Sequence, residues 1–147
     1  RQRQMCIRDR LTNVYSQYIG GVFWQLDSKP LEVELLVCEV AETSNQANNI
    51  YHISFDGTFW EEKDYAVIGG RSDEISQILE DTYQAKLSLP AAVKLATETF
   101  IAIEDSVDEV DRFTINPSTL EVAVLDQKRN RRKFARLSVE DITEILS

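Results

Sequence analysis

Apolar and polar positions alternate through the centre of the chain and fall into helical spacing on either side of it. Tyr51, Ile53 and Phe55 alternate with His52 and Ser54 and run into Asp56-Gly57. An Asp-Gly pair between two apolar runs marks a hairpin, because glycine supplies a positive φ without steric cost. The pattern predicts a return strand over 58–62, a further strand over 65–68 and a break at Gly69-Gly70. Ser72 is the expected N-cap of the next helix, with Asp73 and Glu74 in its first turn and Ile75, Ile78, Leu79 and Tyr83 on its apolar face.

Upstream, Leu11, Val14, Tyr15, Tyr18 and Val22 recur at helical spacing and predict a helix over 11–26 with these residues as its apolar stripe. Gly20-Gly21 weakens it by about 1 kcal/mol per glycine relative to alanine, so it is expected to end or bend there. Residues 32–41 read as a strand apolar on both faces, the mark of a strand covered from two sides. The polar loop 42–49 then predicts antiparallel pairing with the central hairpin. Downstream, Ser88 caps a helix with Pro90 in its first turn and a stripe of Leu89, Ala92, Val93, Ala96, Phe100 and Ile103. The short link before it predicts that the two central helices pack antiparallel on one face of the sheet. An acidic irregular stretch over 104–118 precedes a two-faced strand over 119–126, a basic turn over 127–132 and a return strand over 133–137. Ser138 starts a last helix with Val139, Ile142, Ile145 and Leu146 inward and Glu140 and Asp141 at its positive end. Runs of strands between runs of helices place the chain in the α+β class, with antiparallel sheets flanked by helices.

Length narrows this to one domain, since 147 residues suffice for a single core. A net charge of −9 excludes general nucleic-acid binding, which requires a basic field. No run is long enough for a membrane span, and no apolar stretch follows the basic start as in a signal peptide. Cys38, inside an apolar strand pattern, is expected to be a buried free thiol. Two cysteines make no disulfide framework and fit a reducing, cytoplasmic setting. Residues 1–10 carry four arginines on an otherwise acidic chain. Met5 to Arg10 resembles translated adapter sequence, so 1–10 are set aside as a non-native segment in place of a short basic arm, leaving 11–147 as the domain.

Candidate chemistry is sparse. His52 is the single histidine and sits mid-strand, where a surface or internally satisfied side chain is expected; no metal-ligand spacing surrounds it. No serine lies in a nucleophile-elbow context. Glu61 and Glu62 point to opposite faces of a strand and cannot converge on a glycosidic bond. Gly69-Gly70 lacks the pattern of a phosphate loop. Catalytic residues, metal ligands and cofactors are therefore expected to be none. Lys128, Arg129, Arg131 and Arg132, with Lys133 and Arg136 behind them, form the one basic cluster. At a hairpin tip on an acidic protein it suits an acidic partner subunit better than nucleic acid.

The run FDGTFWEEKDYAVIGG followed by an acidic amphipathic helix resembles the proteasome core-particle α-subunit family. The blocks KPLEVEL (29–35) and LEVAVLD (120–126), the latter with its basic cluster, resemble the actinobacterial branch. The resemblance covers roughly 11–146. It implies part of the four-layer αββα sandwich of the N-terminal-nucleophile hydrolases, with the N-terminal half absent from this chain. It further implies a non-catalytic subunit of a threonine-type endopeptidase complex. Such subunits form heptameric outer rings with other α subunits, stack on β subunits, gate substrate entry and dock an ATPase activator ring. Lys29, Pro30 and Leu31 fall where the family has a loop near the axial gate. Leu31 and Glu32 replace the family's aromatic and glycine there. Lys128, Arg129, Arg131 and Arg132 would then be a subunit-contact hairpin. The alternatives are a β-type threonine peptidase whose nucleophile lies upstream, and an unrelated α+β binding module.

Overall fold

The computed structural model describes residues 5–41, 43, 46–106 and 112–147, with the backbone alone over 5–9. The Cys6 thiol, residues 1–4 of the basic start, and parts of the polar loop 42–49 and of the acidic stretch 104–118 lie outside the described residues. Length suggested one domain, but the chain gathers into two compact units, Arg1–Gly70 and Arg71–Ser147.

The first unit holds helix α1 (Met5–Phe23) and strands β1 (Leu35–Glu39), β2 (Asn49–Ile53) and β3 (Phe59–Glu62). The strands form one antiparallel sheet in the order β1-β2-β3. Leu36 stands opposite His52 and Cys38 opposite Ile50, as the expected antiparallel pairing requires. Across the hairpin, His52 faces Trp60 and Ile53 faces Phe59. The hairpin turn is the one the Asp-Gly pair foretold. The Gly57 amide donates to the Ser54 carbonyl at 3.0 Å and the Ser54 amide to the Thr58 carbonyl at 2.8 Å. Gly57 takes φ 85°, a left-handed value that closes a turn with a one-residue bulge. Asp56 staples it by accepting from the Thr58 amide at 2.9 Å and hydroxyl at 2.7 Å. These two bonds, the hydroxyl first, hold the Asp56 carboxyl below the usual carboxylate range.

Several expectations are corrected here. α1 spans Met5–Phe23 where 11–26 was expected, and it passes through Gly20-Gly21 without ending or breaking there. The stripe Leu11, Val14, Tyr15 and Tyr18 is exposed, whereas Thr12 and Ile19 are buried. The reason is the partner. α1 lies against β2 and the Asp56-Gly57 turn, and only small side chains let that turn come close. The Ser16 hydroxyl donates to the Gly57 carbonyl. A Cβ on Gly20 would sit 3.2 Å from the Asp56 carbonyl oxygen. Residues 65–68 form no strand: Asp64 takes φ 61° and turns the chain out of the direction of β3. β1 is half the length its apolar run suggested, and Cys38 on it is exposed, not buried.

The second unit holds α2 (Ser72–Thr82), α3 (Leu89–Asp105), β4 (Ala123–Leu125), β5 (Phe134–Arg136) and α4 (Val139–Leu146). α2 is capped by Arg71, not Ser72, and no side chain bonds its first amides. The Arg71 guanidinium instead pairs with Glu74 at 2.6 Å and donates to the Ile103 carbonyl and the Ser106 hydroxyl, both at 3.0 Å. The start of α2 thus meets the end of α3, which makes the pair antiparallel as expected. Ser88 caps α3 and Pro90 sits in its first turn. Its inward face is shifted, however: Val93, Thr97, Thr99 and Ile103 are buried, while Leu89 and Phe100 are exposed. Thr97 and Thr99 can be buried because each donates its hydroxyl back to its own helix, to the Val93 and Leu95 carbonyls at 2.8 Å. β4 and β5 pair antiparallel over three residues each, shorter and more exposed than the two-faced run 119–126 suggested. α4 carries a full capping box between Ser138 and Asp141 and buries Ile142, while Val139 points outward against expectation.

Candidate functional site

Lys29, Pro30 and Leu31 lie in the loop ahead of β1, in the first unit. Lys29 and Glu32 form an exposed ion pair at 3.4 Å. Pro30 is exposed and Leu31 half-buried. The Val33 amide donates to the Leu31 carbonyl at 2.7 Å and tightens the approach to β1. Next to this loop runs a groove of about 470 Å³, lined by Glu32, Val33, Glu34, Phe55, Ile68 and Gly69. Its walls are mostly apolar.

Strand register brings together a cluster that residue spacing alone does not announce. The His52 imidazole is buried, with Nδ1 3.4 Å from Glu62 Oε1 and Nε2 3.5 Å from Glu34 Oε1. Its ring stacks at a tilt on Trp60, centroid to centroid 4.4 Å. The Trp60 indole N–H donates to the same Glu62 oxygen at 2.7 Å. Of the surface and interior placements expected for His52, the structure has the interior one. Glu34, Leu36, His52, Trp60 and Glu62 share one face of the sheet, and counting in twos from the Asp-Gly turn would have found them. Nδ1 is within hydrogen-bond reach of Glu62, whereas the buried Nε2 has no hydrogen-bond partner among the described residues and meets Glu34 only at 3.5 Å, so the ring is clamped mainly from the Glu62 side. Among the described residues no three His, Cys, Asp or Glu side chains stand where they could hold a metal ion. Cys38, further along β1, is a free thiol whose pKa is raised by partial desolvation.

Lys128, Arg129, Arg131 and Arg132 belong to the second unit and all four are exposed in the β4–β5 turn. Asp126 organises that turn. Its carboxylate accepts from the Lys128 amide at 2.9 Å, and its backbone carbonyl from the Arg129 amide at 3.2 Å. The Asp126 amide donates to the Lys133 carbonyl at 2.8 Å. Lys133 bends back to the Gln127 carbonyl at 3.2 Å. The four tip cations form no ion pair among the described residues, which leaves their charge directed outward. No helix among the described residues is long and apolar enough to cross a membrane.

Residues 3–125 match the family model described as proteasome subunit. The chain belongs to the proteasome subunit family. Its relatives include a proteasome subunit alpha of Mycobacterium sp. (strain KMS), 38% identical over 93% of this chain and 54% of that protein. The proteasome subunit alpha of Xylanimonas cellulosilytica is 41% identical over 86% of this chain and 52% of its own length. That of Acidothermus cellulolyticus is 35% identical over 92% of this chain and 56% of its own. The chain spans about half the length of the curated relatives it matches. Their actinobacterial origin agrees with the branch that the 29–35 and 120–126 blocks resemble. Proteasome-family membership implies an N-terminal-nucleophile hydrolase-like fold, and the antiparallel sheets and helices described above are consistent with it. The family match takes in Lys29, Pro30 and Leu31 and the His52 cluster, and ends before the basic turn. It begins at residue 3, within the segment set aside for its resemblance to adapter sequence.

Proposed function

We propose that this chain is part of a non-catalytic α subunit of a bacterial proteasome core particle. In this reading it belongs to a heptameric outer ring that gates substrate entry, stacks on β subunits and docks an ATPase activator. The observation that carries the reading is the similarity, across nine-tenths of the chain, to actinobacterial proteins named proteasome subunit alpha. The full protein is a four-layer αββα sandwich, working in the cytoplasm, of which these residues form a portion. The loop at Lys29, Pro30 and Leu31 lies near the gate. The outward cations Lys128, Arg129, Arg131 and Arg132 contact an acidic surface of a neighbouring subunit, a role their exposure at the hairpin tip supports.

The test restores the reading frame upstream of residue 11 from the source DNA and co-expresses the product with the β subunit of the same source. Native mass measurement is expected to show sevenfold rings stacked on β rings. Peptidase activity should vanish when the β threonine is replaced and persist through substitutions in this chain. A frame that runs back to a propeptide ending before a threonine would make the chain a β-type peptidase and end the α-subunit reading.

A further inference from the structure

Charge is unevenly distributed within the second unit. Five of the six residues over 128–133 are cationic, on a chain whose net charge is −9. Lys128, Arg129, Arg131 and Arg132 are exposed in a turn that Asp126 holds in shape through the Lys128 amide. α2 is the counterpart. Its 11 residues hold four carboxylates, Asp73, Glu74, Glu80 and Asp81, and no cation. All four are exposed. Glu80 and Asp81 stand in the last turn, where the helix dipole is negative and cations are the favoured residues, yet no basic residue lies there. A cation brought to this end from outside relieves that repulsion. Tip on tip or α2 on α2 would set like charges together, whereas tip on α2 joins different surfaces of two identical chains. Such a head-to-tail contact makes a ring when its rotation closes.

We propose that the β4–β5 tip of one copy docks on the acidic face of α2 of the next, and that this contact sets the register of neighbours in the α ring. The inference rests on the α-subunit reading and names the acidic surface which that reading leaves open. Exposed ion pairs contribute little one by one, so it is four cations set against a face of carboxylates that gives the contact its direction. Charges placed in this way act on approach and orientation more than on final affinity. The contact therefore speeds and orders assembly, and it weakens as salt rises.

The full reading frame, restored and co-expressed with its β subunit, is followed for ring assembly by native mass measurement at low ionic strength. Wild type is expected to form rings, more slowly as salt is added. Arg131→Glu/Arg132→Glu reverses the tip and Glu80→Lys/Asp81→Lys reverses the face. Each pair is expected to slow assembly about tenfold or more. The chain carrying both pairs has the same attraction with its signs exchanged and should return to near the wild-type rate, a rescue that damage to the fold would not give. In wild-type rings a carbodiimide should join Lys128 to Glu80 or Asp81 across two chains, read as a peptide pair between light and heavy isotopic copies. Reversed pairs that assemble like wild type overturn the proposal, as does failure of the combined chain to recover with its circular dichroism intact. The cross-link, made on unsubstituted chains, decides alone where a reversed pair misfolds. Cross-links from Lys128 to a β subunit in place of α2 assign the tip to that neighbour and overturn the proposal equally. Rings that ignore the reversed charges sink the α2 contact and leave the α-subunit reading standing, whereas a wild-type frame that forms no rings ends both.

Discussion

Replacing Gly57 by alanine tests the contact between α1 and the hairpin turn. Two costs combine. Gly57 holds φ 85°, where an L-residue's Cβ crowds its own backbone at a cost of about 1–2 kcal/mol. The new Cβ would also lie 2.5 Å from the Ser16 carbonyl oxygen and 2.6 Å from both the nitrogen and the Cα of Gly20. All three are backbone atoms of α1, so no side chain can swing aside and the helix itself must retreat. Overpacking of that kind costs about 1–3 kcal/mol, and the retreat loosens the Ser16–Gly57 hydrogen bond, worth about 1 kcal/mol. The expected loss is about 2–6 kcal/mol, a large part of the roughly 5–15 kcal/mol that a domain has. Urea denaturation followed by the fluorescence of Trp60, which sits in the hairpin, reads it directly. Gly69→Ala is the control for backbone strain, because Gly69 takes φ 115° with nothing within 4 Å of its Cβ position. Gly21→Ala, inside the helix and equally uncrowded, should stabilise by about 0.5–1 kcal/mol. If Gly57→Ala falls within about 0.5 kcal/mol of wild type, or merely equals Gly69→Ala, the close approach of α1 to the turn is refuted.

Ile53 is 0% exposed at the centre of the sheet, and Ile53→Ala should cost about 2–5 kcal/mol by the same denaturation assay, far more than Phe59→Ala at its half-exposed partner position. Ser138→Ala removes the cap of α4 and should cost about 1 kcal/mol. The Asp141 carboxyl is held below the usual range by the Ser138 amide and then the Ser138 hydroxyl. Its folded pKa therefore lies below the unfolded one, so its contribution is fully present above the ordinary aspartate range and disappears as pH falls through the depressed value. Acid titration by circular dichroism should show this loss of helix in wild type and not in the Ser138→Ala/Asp141→Asn double variant. The Cys38 thiol is exposed but shifted upward, so iodoacetamide should modify its peptide more slowly than free cysteine at neutral pH and catch up only under alkaline conditions. Equal rates at neutral pH would contradict that shift.

The signals that could be read from sequence were those in which one residue type has one local job. Asp56-Gly57 announced the turn, Ser88 and Pro90 the start of α3, and Ser138 with Asp141 the start of α4. Faces of helices were less legible, because periodicity counts apolar residues while packing selects for fit. In α1 the inward stripe consists of Thr12, Ser16, Ile19 and Gly20, small enough to admit a backbone turn, and the larger apolar stripe faces away from it. In α3 the buried Thr97 and Thr99 satisfy their hydroxyls within the helix, so polarity on paper did not mean exposure. Strand lengths were overstated where a strand needs a neighbour to be a strand: residues 65–68 and the outer parts of 32–41 and 119–126 lie outside the strands, although Val122 and Asp126 still bond across to the return segment. The loop at Lys29 to Leu31 and the basic tip were legible as exposed features. The His52 clamp was not, because its three elements meet through two registers, one set by the Asp56-Gly57 turn and one by the pairing of β1 with β2.

Ser16 and Gly57 stand 41 residues apart. A ribosome adding about 5–20 residues per second would release α1 roughly 2–8 s before the turn that covers its inner side. Helices form within about a microsecond, so throughout that interval the inner side of α1 lacks the hairpin that will cover it. The Gly20-Gly21 pair lowers its helicity in isolation and keeps it frayed until the hairpin arrives. In a cell this nascent segment, rich in tyrosine and aliphatic side chains, is one on which a holding chaperone would find purchase. Closure of the Gly57 turn onto α1 is the event that ends its claim on the inner face.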